Sequence, residues 1–293
     1  MKPSDLPKQD LPKNKRTSAS LLKQIQEELK SHSESPYLDS VVLLAHITGR
    51  DKSQLLANPD PELNPQQAEA LEQALNQIQT GMPLPYLIGE WEFFGYQFII
   101  TEDVLIPRPE TEGLVELALD WLTEHPQRRT SLEIGTGCGC IAVSLAKNIS
   151  DLNIIATDIS SSALQIARGN AQRHRVENQI SFQKRDLLTG MDDKVDLIIA
   201  NLPYIPTEKL KTLPVYNAEP TLALDGGLDG LVYIKQVVKS ARQHMQPGGA
   251  IFLELDEDSG ASALTLAREV WPGMTLKLSQ DLSGQDRYLS IEC

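Results

Sequence analysis

The chain has 293 residues, with 40 acidic and 27 basic side chains and a net charge of −13. A hydrophobic content of 41% is enough for a real core, and no run of 18 apolar residues exists that could span a membrane. The acidity argues against direct nucleic-acid binding, which draws its affinity from a basic face neutralising phosphates, and favours a small molecule or a protein with a basic surface. The three cysteines, Cys138, Cys140 and Cys293, show neither metal-ligand spacing nor a disulfide framework. That usage is expected of a reducing cytoplasm.

Residues 1–20 begin with a Pro/Lys/Asp-rich stretch without an apolar core, expected to be a disordered tail and not a signal peptide. Residues 21–82 carry helical periodicity. Leu21, Leu22, Ile25 and Leu29 form one apolar face, and Val41 to Ile47 form another that is closed by Gly49. A third helix opens at Pro65 and ends at Gly81. A small helical bundle without catalytic residues of its own is expected here. Residues 83–110 change character: Trp91 to Ile100 reads as an aromatic hairpin with Gly95 near its turn, linking the bundle to the catalytic domain expected beyond residue 110. Arg108 lies between two prolines. Its guanidinium could orient a carboxylate or a carbonyl of a bound molecule, or form an ion pair with Glu110 or Glu112.

From residue 111 to 293 strands and helices alternate, which predicts a doubly wound α/β sheet. Leu132-Glu133-Ile134 runs into the loop Gly135-Thr136-Gly137-Cys138-Gly139-Cys140 and then a helical pattern. Glycines let a backbone approach a ligand closely. The dinucleotide fingerprint places its third glycine one position later, where this chain has Cys140, which weakens a nicotinamide or flavin reading. Asn153 to Asp158 is a second strand ending in a carboxylate placed to accept from ribose hydroxyls, and Ser160 caps the next helix. Ile180 to Gln183 is a third strand, with Asp186 and Leu187 just beyond its end. Val195 to Ile199 reads as a buried strand that delivers Asn201-Leu202-Pro203-Tyr204 to the ligand-binding edge. Pro203 keeps residue 202 extended, so Asn201 Oδ1 and the Leu202 carbonyl can face one way as two acceptors. Such a pair suits a planar –NH2 group, and Tyr204 supplies a ring to lie against it. A helix from about Leu231 to His244 stops at Pro247-Gly248-Gly249. Ala250 to Glu254 is a fifth strand, Ala261 to Val270 a helix, and Arg287 to Ile291 closes the sheet.

These motifs resemble a class I methyltransferase that uses S-adenosylmethionine, and more closely the glutamine-N5 methyltransferases of peptide-chain release factors. The resemblance rests on Pro83 to Glu90, Phe93-Phe94-Gly95, Leu105 to Glu112 (Leu-Ile-Pro-Arg-Pro-Glu-Thr-Glu), the glycine loop, the Asn201 stretch and Glu219-Pro220. It implies a Rossmann-like seven-stranded methyltransferase sheet with an antiparallel final hairpin, preceded by a substrate-docking helical domain. It implies methylation of the glutamine in a GGQ tripeptide by a cytoplasmic enzyme expected to act as a monomer. Glu133, Gly135, Thr136, Gly137, Cys138, Gly139, Asp158, Asp186, Leu187 and Asn201 would hold the cofactor. Asn201, Leu202, Pro203, Tyr204 and Arg108 would meet the substrate. The chain departs from the family at Leu202, where Pro is usual, and after Glu254, where Asp256 and Ser259 replace a Gly and a Gln. N6-adenine methylation of ribosomal RNA, glutamine methylation of a ribosomal protein and a non-enzymatic scaffold are the rival readings.

Overall fold

The computed structural model describes residues 20–293, so the tail expected over residues 1–20 lies outside it except for Ser20. Two compact units meet in sequence at Leu84 and Pro85.

The smaller unit contains α1 (Leu21–Leu29), α2 (Pro36–Thr48), α3 (Lys52–Ala57) and α4 (Pro65–Gln79). Local chemistry sets their ends. The Ser20 side chain accepts from the Lys23 N–H at the start of α1, and Asn64 and Gln67 form a reciprocal capping box on α4. Pro36 and Pro65 sit in first turns, where their missing N–H costs nothing. Leu22, Ile25, Leu29, Leu43, Leu44 and Ile78 are buried. The six residues of α3 are too few for a periodicity signal, and Leu55, fully buried, anchors that helix.

After the short α5 (Leu84–Ile88), the larger unit begins with a hairpin of β1 (Glu90–Phe93) and β2 (Tyr96–Ile99). It continues through α6 (Pro109–Glu124), β3 (Thr130–Ile134), α7 (Cys140–Asn148), β4 (Asn153–Asp158) and α8 (Ser161–His174). Next come β5 (Ile180–Lys184), β6 (Val195–Ala200), α9 (Thr207–Leu210) and α10 (Val232–Ser240). It ends with β7 (Met245–Glu254), α11 (Gly260–Val270), β8 (Thr275–Gln280) and β9 (Asp286–Glu292). The sheet order is β5-β4-β3-β6-β7-β9-β8, with β5, β4, β3, β6 and β7 parallel and β9 antiparallel to both its neighbours. Every residue of β6 is buried, as a central parallel strand covered on both faces requires. Leu197 and Ile199 join the apolar cluster on one face, and Ile198 and Ala200 the cluster on the other.

Two boundaries differ from the sequence reading. β8 escaped it because its half-exposed pattern mixes Lys277 and Ser279 with the apolar residues of an edge strand. Pro247-Gly248-Gly249, read as a helix stop, lies inside β7, where the β6–β7 register shifts between Val195 and Leu197. A side chain at Gly249 would come within 2.5 Å of the Asp196 carbonyl oxygen, so this shift needs glycine there.

The hairpin belongs to the larger unit. Phe94 and Gly95 both take positive φ between the paired Phe93 and Tyr96, the requirement of a tight two-residue turn. Glu112 of α6 accepts from the Phe94 N–H at 2.7 Å. Asn170 of α8 accepts from the Ile99 N–H at 2.7 Å and donates to the Ile99 carbonyl at 3.0 Å and the Cys138 carbonyl at 2.8 Å. One buried amide thus ties the hairpin to the glycine loop. Asn170→Leu should cost about 1–3 kcal/mol by leaving buried backbone groups unpaired. Urea unfolding should show the loss, and faster hydrogen exchange at the Ile99 amide should localise it.

Candidate active site

The carboxyl ends of β3, β4 and β6 open onto a cleft of about 830 Å³, mouth included. Gly135 and Gly137 line it, and Gly135, Gly137 and Gly139 all take positive φ. At Gly139 a side chain would press on Ala167 of α8, 3.1 Å away, so this glycine serves helix packing. A side chain at Gly137 would meet nothing within 4 Å and would project into open space, which suits close approach by a ligand. The loop is fastened to β4: the Gly135 and Thr136 N–H groups donate to the Thr157 carbonyl at 2.8 and 2.9 Å. The Gly137 N–H donates to Asp158 Oδ2 at 2.9 Å, and the Ser160 N–H donates to Asp158 Oδ1 at 2.8 Å. Burial pushes the Asp158 carboxyl up against the pull of these backbone donors. The carboxylate lines a wall of the cleft and keeps acceptor capacity for a ligand. Asp186 and Leu187 line the same wall, Leu187 holding a left-handed φ of 49° that a leucine rarely adopts.

Glu133, Thr136 and Cys138 stand behind this wall. Glu133 is 1% exposed, and its Oε2 accepts from Thr136 Oγ1 at 2.7 Å and from the Ala142 N–H at 3.1 Å. Its Oε1 is buried with no partner, and burial pushes the carboxyl up to about 8. Cys138 packs into the core and offers the loop only its carbonyl, held by Asn170.

At the end of β6, Asn201, Leu202 and Pro203 line the cleft and Tyr204 does not. Asn201 Nδ2 donates to Thr111 Oγ1 at 2.9 Å, so its Oδ1 is the atom left for a ligand. The Tyr204 hydroxyl donates to Glu254 Oε1 at 3.1 Å, at the end of β7. Burial raises the Tyr204 phenol well above its ordinary range, and the Glu254 charge adds to the shift. Glu254 is fully buried, and burial pushes its carboxyl up to about 7 against the pull of the Thr111 and Tyr204 hydroxyls and of Arg287. The return loop packs against the same segment without intervening side chains. A Cβ at Gly226 would lie 2.7 Å from Tyr204 Cα and 2.8 Å from the Pro203 carbonyl oxygen, and one at Gly230 would collide with the Tyr204 carbonyl. The Ile205 N–H donates to the Leu224 carbonyl at 3.1 Å and the Gly226 N–H to the Ile205 carbonyl at 2.8 Å, completing the clasp.

Arg108 lies outside the cleft lining. Its guanidinium pairs with Glu219, not with Glu110 or Glu112, and the other Glu219 oxygen accepts from the Ile106 N–H at 3.0 Å. Two sequence signatures 111 residues apart therefore form one clasp beside the cleft. After β7, Asp256 caps its own turn by accepting from the Asp258 N–H at 3.1 Å, and it pairs with Lys209. Sequence reading named neither Thr111, Asn170 nor Glu254 as part of the site. Thr111 was visible only as a member of the Pro-Glu-Thr-Glu run.

Sheet order, glycine loop and strand-end acids define the class I methyltransferase fold. The crystal structure titled "hMettl16 catalytic domain in complex with MAT2A 3'UTR hairpin 6" matches 77% of this chain and 81% of its own, with a TM-score of 0.54 and 16% identity. Residues 115–229 match the family described as methyltransferase small domain, and residues 20–89 match the PrmC N-terminal domain. The release factor glutamine methyltransferase of Moorella thermoacetica is 38% identical over 87% of this chain and 90% of its own length. That of Rhodopirellula baltica is 34% identical over 90% and 91%. The chain belongs to the release factor glutamine methyltransferase family.

Glu133 and Glu254 both titrate above the ordinary value of 4.5 in the folded chain. A group raised in this way adds stability below its unfolded pKa and loses it as pH rises through the folded value. The unfolding midpoint of the unliganded protein should therefore fall as pH rises from about 4.5 towards 8. Glu133→Gln should remove the part of that slope nearest 8, read by thermal scans at a series of pH values.

Proposed function

We propose that this protein transfers a methyl group from S-adenosylmethionine to the side-chain amide nitrogen of a glutamine in peptide-chain release factors. The observation that carries it is Asn201, whose amide nitrogen is engaged by Thr111 while its oxygen is free at the cleft. When bound, S-adenosylmethionine supplies a methyl group on a positively charged sulfur. The cleft fits it: Gly135 and Gly137 allow close approach, Asp158 and Asp186 offer acceptors for the ribose and the purine edge, and Leu187 offers an apolar contact.

Amide nitrogen is a weak nucleophile because its lone pair is shared with the carbonyl. Asn201 Oδ1 and the Leu202 carbonyl accept its two N–H protons, which orients the nitrogen and leaves its lone pair available. A methyl donor held by Gly135, Gly137 and Asp158 would supply the carbon and leave as a neutral thioether, and one of the two protons held by Asn201 Oδ1 and the Leu202 carbonyl would pass to water. A carboxylate has no such protons and is excluded. Positioning supplies most of the rate, and no strong base is required. Tyr204, tethered through its hydroxyl to Glu254, backs the segment. Arg108, clamped by Glu219, holds the approach segment that carries Thr111 and serves the substrate indirectly.

The helical unit docks the protein substrate, whose basic surface suits an enzyme of net charge −13. No helix among the described residues is long and apolar enough to cross a membrane. We place the enzyme in the cytoplasm, acting as a monomer without binding nucleic acid itself. Transfer of labelled methyl from S-adenosylmethionine to purified release factors, to a ribosomal-protein pool and to ribosomal RNA tests the whole reading. Label in RNA alone would overturn it.

Two substitutions test the acceptor pair. Leu202→Pro should change turnover less than about tenfold, because the backbone carbonyl is retained. Asn201→Ala should cost about 2.7–4 kcal/mol in the barrier, like other lost transition-state hydrogen-bonding groups. Steady-state kinetics on a release factor would separate them. Asp158→Ala should weaken cofactor binding about 10- to 150-fold, the worth of a charged hydrogen bond. Calorimetry showing unchanged affinity would remove Asp158 from the site.

A further inference from the structure

An extended residue turns its N–H and its carbonyl to the same side, which is why antiparallel partners exchange both bonds at one pair of residues. A primary amide has a matching edge, with its carbonyl oxygen beside one of its two N–H protons. An extended residue with both main-chain groups free can therefore take such an amide by two hydrogen bonds. Proline cannot, because it has no N–H. Leu202 stands where the family usually has proline, so this chain carries a donor there that the usual sequence lacks.

We propose that the main-chain N–H of Leu202 donates to the side-chain carbonyl oxygen of the substrate glutamine, so that Leu202 holds the amide at two points. This inference rests on the activity proposed above. Leu202 lies two residues beyond the end of β6 at Ala200, and Pro203 keeps it extended. Among the described residues no group accepts from its N–H and none donates to its carbonyl. The residue is 4% exposed and lines the cleft. A buried N–H without a partner is costly and rare in folded chains. The cleft is where a partner for this one arrives.

The leucine side chain holds the main chain in place. It belongs to the apolar cluster of Leu132, Ile134, Ile198 and Ala200, and a Cβ at Gly135 would lie 3.1 Å from its Cδ2. Seated on the glycine loop and followed by a proline, Leu202 has little freedom to turn its polar groups away. Asn201 stands beside it with Nδ2 engaged by Thr111 at 2.9 Å and Oδ1 left for a ligand. Three bonds then meet the glutamine amide in its own plane. Leu202 N–H donates to the carbonyl oxygen, the neighbouring amide proton goes to the Leu202 carbonyl, and the second proton goes to Asn201 Oδ1. The nitrogen lone pair, perpendicular to that plane, is left for the methyl group. A donor on the carbonyl oxygen draws electron density from the nitrogen, so this bond strengthens binding and does not speed transfer. A carboxylate satisfies the N–H but sets its second oxygen against two acceptors.

The test replaces Leu202 in the full chain by its α-hydroxy acid, introduced by nonsense suppression. This exchanges the N–H for an ester oxygen and keeps both the side chain and the Leu202 carbonyl. Leu202→Pro, which removes N–H and side chain together, and Leu202→Ala, which keeps the N–H, are compared with it. Steady-state kinetics are read on a short glutamine peptide at saturating S-adenosylmethionine. The ester and proline variants should raise KM for the peptide about 2- to 12-fold, the worth of one neutral hydrogen bond. Their kcat should fall by a smaller factor, the mark of binding lost equally from ground and transition states. Alanine should raise KM less than either. An ester variant with the wild-type KM would overturn the inference, whether or not the proline variant folds. A fall in kcat larger than the rise in KM, or an alanine variant more impaired in KM than the ester, would overturn it too. Each of these results leaves the proposed activity standing. A wild type inert towards every glutamine substrate would instead overturn the activity, and this inference with it.

Discussion

The backbone of Pro203 and Tyr204 lies so close to Gly226 and Gly230 that no side chain fits between them. The site depends on this contact. The chain leaving β6 has to present acceptors to the cleft and cannot be allowed to wander, yet a loop at a sheet edge has little apolar surface with which to hold itself. Packing backbone directly on backbone solves this, with the Ile205–Asp225 bridge and the hydrogen bonds of Ile205 and Gly226 as fasteners. It uses residues more than twenty positions apart, and it needs glycine at both contact points.

The rest of the active edge is built by the same means, with a carboxylate at each join. Asp158 gathers the glycine loop and the start of α8, Glu219 gathers Arg108 and Ile106, and Glu254 holds Tyr204. Glu133 gathers Thr136 and the first turn of α7. A carboxylate is well suited to such joins because its two oxygens accept up to four hydrogen bonds from different directions. Glu133 and Glu254 are displaced upward in pKa by burial, the cost of placing acids where water does not reach.

The acidity of the chain and its fold serve different ends. Four of the acids bind the site together from within, whereas the net charge of −13 acts at long range on whatever approaches. An exposed charge contributes little to stability.

Much of this was readable in the chain itself. Strand and helix alternation, the glycine loop, the acids at strand ends and the Asn201 stretch are local signals, because periodicity, turn chemistry and short motifs depend on neighbours in sequence. The hairpin belongs to the same class. Local signals could not show that β8 pairs as a polar-edged strand or that Pro247-Gly248-Gly249 lies within β7. Pairing with β9 and β6 decides those, against the intrinsic preference of the residues. Nor could they show the partners of Arg108, Asn170, Thr111 and Glu254. Each of these side chains meets groups that the sheet order brings together from far along the chain. Residue type sets what such a group can bond to, and only the tertiary fold decides which partner stands within 3 Å of it.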